Sequence, residues 1–278
     1  MRICRVQVDS MATPVLALGC DGAYYDVAAL ETALGREGPS DFHARVFAAR
    51  AAGLAQLDAA LRAGSRPTEA RIRAPDALIL PPCDEARATL VEVSLHGAGM
   101  PAPPGGPAFA LASARSLVPC ELPLPVGAGP VAVSGGLGAV LGDELSRGTA
   151  REAEQAVLGY VLHLAARGSG RPLGCAQLGP ALVTPDEIGP LDAVRLELTV
   201  AGRHLAAPGP AGAWRRIWEA IAYVSNHLPL RPGDVVVAAD VVAGTVELGV
   251  EVALTAPRLG RLAGTLVAGP ADAPWRAL

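Results

Sequence analysis

Short apolar runs, rich in valine and closed at each end by Gly, Pro or Asp, recur along the second two-thirds of the chain. "LVEVSL", "VAVSGGLGAVLG", "VRLELTVAG", "DVVVAADVV", "VELGVEVAL" and "GRLAGTLVAG" all have strand length and strand composition. Helical spacing interrupts them rarely. One helix is expected from about Ser40, a good N-cap, through Leu54, Leu57 and Leu61 to a stop at Gly64. A second opens at Thr149, where Glu152 completes a capping box, and sets Ala153, Val157, Tyr160, Val161 and Leu164 on one face. A third, in "WRRIWEAIAYVSNHL", aligns Trp214, Ile217, Trp218, Ile221 and Val224 as a core stripe.

Upstream, residues 3–27 read as short strands with a turn at Asp21-Gly22, and "RIRAPDALILPPCDEA" reads as a proline-bracketed connector. The expectation is an α+β chain, mainly β, with a small N-terminal α+β module at 1–82 and a larger strand-rich domain at 83–278.

Four spaced motifs stand in a familiar order: Leu178-Gly179-Pro180, Val183-Thr184-Pro185-Asp186-Glu187-Ile188, Tyr223-Val224-Ser225 and Leu230-Arg231-Pro232-Gly233-Asp234. Together they resemble the C-terminal half of the fumarylacetoacetate hydrolase family, over most of residues 85–270. The resemblance implies a rolled, mostly antiparallel β-structure, a homodimer, and a small-molecule substrate bound at a mouth that holds a divalent metal on oxygen ligands. Members hydrolyse, decarboxylate or isomerise keto acids through enolate-like intermediates that the metal neutralises.

The residues that carry that chemistry are missing. The family's Glu-x-Glu strand is represented by Ser134-Gly135-Gly136, and its third ligand, an aspartate, by His163. Met100 stands where the family has a general-base histidine, with His96 four residues earlier, and Ala112 replaces a lysine. The expectation is therefore no metal and no other cofactor. The candidate catalytic residues are His163, His96 and Arg167; Ser134, Arg171, Gln177 and Arg115 are the candidate substrate contacts. A histidine titrating near neutrality would serve as base, and arginines would hold an enolate. Each also has a plain structural reading, as a buried histidine or a solvated arginine.

Composition narrows the partners. The net charge of -4 offers no basic field for nucleic acid, and the longest apolar run is broken by Asp240, Glu247 and Glu251, which argues against a membrane span. All 23 basic residues are arginine, so Schiff-base and lysine-base chemistry is excluded. Cys4, Cys20, Cys83, Cys120 and Cys175 are widely spaced and suggest neither zinc nor disulfides. With no basic segment leading into an apolar core at the N-terminus, a cytoplasmic location is expected. The functional expectation is a metal-independent cyclase, isomerase, decarboxylase or hydrolase acting on a keto-acid or polyketide-like intermediate of bacterial specialised metabolism. The alternative is a non-catalytic member that binds a metabolite or a partner subunit.

Overall fold

The apolar runs become strands that pair over long distances in sequence. A computed structural model describes residues 1–8, 13–38, 41–73, 77–94, 107–127, 129–168, 175–206 and 216–269. The strands are β1 Arg2–Gln7, β2 Val15–Cys20, β3 Ala23–Asp26, β4 Arg71–Ile72, β5 Leu78–Leu80, β6 Thr89–Ser94, β7 Phe109–Ser113, β8 Leu117–Val118 and β9 Leu124–Val126. They continue with β10 Val131–Leu141, β11 Val157–Gly168, β12 Cys175–Val183, β13 Glu197–Val200, β14 Arg203–Ala206, β15 Val235–Val246, β16 Glu251–Ala256 and β17 Gly260–Ala268. The helices are α1 Val27–Ala33, α2 Leu54–Arg62, α3 Ala150–Ala156, α4 Pro185–Ile188 and α5 Ile217–Ser225.

Two sheets result. The larger runs β4-β3-β2-β1-β12-β11-β10-β15-β6-β7, and the smaller runs β14-β13-β16-β17-β9. The mainly β, α+β class agrees with the strand pattern. The boundary placed near residue 82 falls between β5 and β6, and hydrogen bonding crosses it, because β1 pairs antiparallel with β12.

Two helices differ from the periodicity. The run from Ser40 to Gly64 breaks into a π-helical turn at Ala44–Ala48 and then α2, with Arg50 and Ala51 at φ 48° and 54° between them. Arg50 turns outward there, pairing with Asp143 and donating to the Gln155 carbonyl at 3.1 Å. The Thr149 capping box forms as expected, but α3 stops at Ala156 and Val157–Gly168 continues as β11. That stretch is buried on both faces, so apolar residues occupy nearly every position and no period separates helix from strand. His163 consequently stands on a strand rather than at a helix end.

Strand β10 divides the interior. Val133, Leu137, Ala139 and Leu141 enter a core shared with the smaller sheet and α5, whereas Val140 enters a second core built with α1 and α2. Gly135 turns toward Leu254 of the smaller sheet, whose Cδ1 lies 2.6 Å from where a Cβ would be. The Leu230–Asp234 motif is a turn that anchors β6. Gly233 takes φ 94°, and the buried Asp234 carboxylate accepts from the backbone N–H of Arg231 and of Thr89, both at 2.7 Å. Replacing Asp234 with Ala leaves both donors unpaired, and urea unfolding is expected to show a loss of about 2–4 kcal/mol.

Candidate functional site

The register of the large sheet brings the site together. β10 pairs with β11 on one side and β15 on the other, and β6 lies beyond β15. Gly136 is opposite His163, Ser134 is opposite Ala165, and Ala132 is opposite Arg167. Residues opposite each other in an antiparallel pair share a face, so Ser134, Gly136, His163 and Arg167 all look to one side of the sheet. Val140, Val161, Leu178 and Leu90 mark that side as the one packed against the N-terminal helices.

Glu92 of β6 completes the group. It alternates with Val91 and Val93, which enter the other core, so its carboxylate projects onto the face of His163. Its Oε2 forms an ion pair with an Arg167 guanidinium nitrogen, and its Oε1 stands 3.6 Å from His163 Nε2. Two strands separate β6 from β11, roughly 14 Å of sheet at the usual strand spacing. Long side chains cover that span where β10 contributes Gly136.

Burial sets the electrostatics. His163 is 1% exposed, and neither ring nitrogen has a hydrogen-bond partner among the described residues. Desolvation pushes its pKa down from 6.5 to about 4, so the ring is neutral at ordinary pH and its contact with Glu92 is not an ion pair. This departs from the expectation of a histidine poised near neutrality, since a ring with so low a pKa is a weak base. Glu92 and Arg167 hold the charges, with side chains 17% and 45% exposed.

The remaining candidates separate. Ser134 lies partly buried on the same face. Gln177 does not: it is opposite Leu164, on the inter-sheet face, where its amide NH2 donates to the carbonyls of Ala263 and Leu122 at 2.9 and 3.0 Å, with the Pro119 carbonyl at 3.3 Å. Its role there is to tie the two sheets together. Arg115 is exposed just after β7, at the end where Ser113 pairs with Thr89, remote from Ser94. Cys175 shares the face of Gln177, and burial raises its thiol to about 11, which keeps it from being a ready nucleophile. His96 and Arg171 lie outside the described residues. Glu92 is the residue missed from sequence; its only signal is a carboxylate inside an otherwise apolar strand that leads into the His96 segment.

The donor set does not suit a hard divalent cation. Such ions take six or more oxygen ligands, and here the positions offer a hydroxyl, a glycine, a buried imidazole and one carboxylate already engaged by a guanidinium. Among the described residues no three His, Cys, Asp or Glu side chains group as metal ligands.

The sequence profile described as fumarylacetoacetate (FAA) hydrolase C-terminal matches residues 86–267. The chain belongs to the fumarylacetoacetate hydrolase family. No curated protein matches it by sequence. Solved structures share the family fold at low identity. Maleylpyruvate hydrolase from Sphingobium sp. SYK-6, in complex with manganese(II) and pyruvate, is 19% identical with a TM-score of 0.75, covering 97% of this chain and 100% of that one. The 5-carboxymethyl-2-hydroxymuconate delta-isomerase of Mycobacterium smegmatis is 20% identical with a TM-score of 0.70, covering 96% and 100%. The 2-hydroxyhepta-2,4-diene-1,7-dioate isomerase of Mycobacterium marinum is 18% identical with a TM-score of 0.67, covering 96% and 98%. Among the described residues no helix is long and apolar enough to cross a membrane.

The buried ring of this family member makes stability depend on pH. Its folded pKa lies below its unfolded value, so between about 4 and 6.5 the unfolded chain binds more protons. The His163 contribution is therefore complete above pH 6.5 and is lost as pH falls toward 4. Urea unfolding at pH 7 and pH 4 is expected to cost the wild type about 3 kcal/mol more than His163→Gln. Equal losses in the two proteins would refute the burial argument.

Proposed function

We propose that this protein enolises a keto acid with side chains alone, as a metal-independent isomerase, decarboxylase, cyclase or carbon–carbon or ester hydrolase of the fumarylacetoacetate hydrolase family. The observation that carries the reading is the meeting of a carboxylate, a neutral imidazole and a guanidinium on the face of Ser134 and Gly136, where the family resemblance puts two carboxylates. An enolate needs a group to take the α-proton and a positive group to hold the new charge, and both are present. Structures of the same fold carry hydrolase and isomerase names, one of them in complex with manganese(II) ion and pyruvate. The binding of a small keto acid, a homodimer and a cytoplasmic location belong to the same reading, supported by the family and by five free, buried cysteines.

A second reading rests on the 1% exposure of His163, which is equally what a sealed, non-catalytic family member would have. Deuterium exchange separates the two. Pyruvate, 2-oxobutanoate and 2-oxoglutarate are incubated with the protein in D2O containing EDTA, and deuterium beside the keto group is followed by NMR. Enolisation predicts protein-dependent exchange that persists in EDTA and slows in His163→Ala, which empties the space beside the Glu92 carboxylate. Exchange at the protein-free rate for all three acids establishes the non-catalytic reading. Exchange abolished by EDTA sinks metal independence.

A further inference from the structure

Resting on that functional reading and deepening it, we propose that Glu92 is the catalytic base and that His163 is its positioning partner. In this division of labour the imidazole accepts the hydrogen bond of the protonated Glu92 carboxyl, while Arg167 passes from Glu92 to the enolate.

The geometry supports each part. Glu92 has two chemically distinct oxygens: Oε2 is held by Arg167, and Oε1 faces His163 Nε2 at 3.6 Å, too far for a hydrogen bond. With the ring in its Nδ1–H tautomer, Nε2 is the acceptor nitrogen, and in the resting state the facing carboxylate has no proton to give it. Among the described residues neither nitrogen of the buried His163 ring has a hydrogen-bond partner, an arrangement that costs stability and calls for one. Proton transfer supplies one. The α-carbon loses its proton to Glu92 Oε1, the C–H electron pair becomes the new C=C bond, and the carbonyl π pair moves onto oxygen as the enolate. Glu92 is then a neutral acid whose O–H donates to Nε2 after a small inward shift, and Arg167 has lost its counter-ion.

The guanidinium is free at the moment an anion forms next to it. Net charge within the cluster is unchanged throughout, because one negative charge moves from carboxylate to enolate, and that is the service a metal provides elsewhere by Lewis acidity. Return of the proton, or of a deuteron exchanged from solvent, to the carbon restores the Arg167–Glu92 pair. A ring protonated near neutrality would be unable to accept that hydrogen bond. The depressed basicity of His163 therefore agrees with this role and disagrees with service as the base.

Pyruvate exchange in D2O with EDTA is again the probe, now with variants that separate chemistry from packing. Glu92→Gln is expected to exchange about 10²–10⁴-fold more slowly with KM unchanged, and Glu92→Asp to retain an intermediate rate. His163→Gln offers an amide oxygen to the same O–H and is expected to keep more of kcat than His163→Leu, which fills similar space without an acceptor. Should Glu92→Gln fail to fold, the Glu92→Asp rate and the Gln-against-Leu comparison still decide. A wild type that exchanges, with Glu92→Gln and Glu92→Asp undiminished, or with Gln and Leu equivalent at 163, overturns this assignment alone. A wild type that does not exchange any of the three acids overturns the functional reading and this assignment with it.

Discussion

Strand β10 is hydrogen-bonded to a neighbour on each side along nearly its whole length and is buried almost throughout, and the other elements are arranged around that constraint. From Gly135 onward the strand has no solvent face, and each of its side chains must fit one of two cores. Alternate residues go to the smaller sheet and to the N-terminal helices, so the N-terminal residues close the second face of the central strands as well as extending the sheet through β1 and β12. The same constraint explains the glycines. At Gly138, a Cβ would stand 2.8 Å from Val161 and 3.2 Å from Val235, so larger residues on the flanking strands already fill that space.

That packing also sets what this face of β10 can hold. Two carboxylates on β10 would be tolerable in this interior only with a multivalent cation between them, since like charges in a poorly solvated place repel strongly. Ser134 and Gly136, where the family resemblance puts those carboxylates, bring no such repulsion to β10. The nearby ionic groups are instead one carboxylate and one guanidinium, a self-neutralised pair at the more exposed rim, with the uncharged His163 ring set deeper. Charge at the rim and neutrality beneath it is the order that desolvation favours.

How much of this was legible in sequence is governed by the same two-sided burial. Turn and cap signals read well because they depend on local chemistry: Thr149 with Glu152, Asp21-Gly22, and Gly233-Asp234 all form as their residues suggest. Periodicity fails where both faces are apolar. The run from Val157 has the spacing of a continuing helix, and the parity that puts Gln177 on the face opposite His163 is invisible because its neighbours are almost all hydrophobic. Spaced motifs identify the family, whereas the pairing of His163 with Gly136 appears only in the register. Glu92 escapes because its significance arises from strand order. Nothing local in "LVEVSL" reveals that only β15 and the glycine-bearing β10 separate β6 from β11.

The neutral histidine illustrates why residue type alone misassigns chemistry. An imidazole in a candidate site is read by default as a group that titrates at neutrality, yet its basicity belongs to its surroundings. Here the nearest carboxylate would favour a protonated ring, but its charge is already answered by Arg167, and desolvation is left to decide. The guanidinium thus acts on His163 indirectly, by engaging the counter-ion the ring would otherwise use. If Arg167 is drawn toward an arriving anion, Glu92 loses that engagement, and its appetite for a proton rises at the moment the substrate is in place. With Glu92 as the proposed base, coupling of this kind would tie its proton affinity to occupancy of the site.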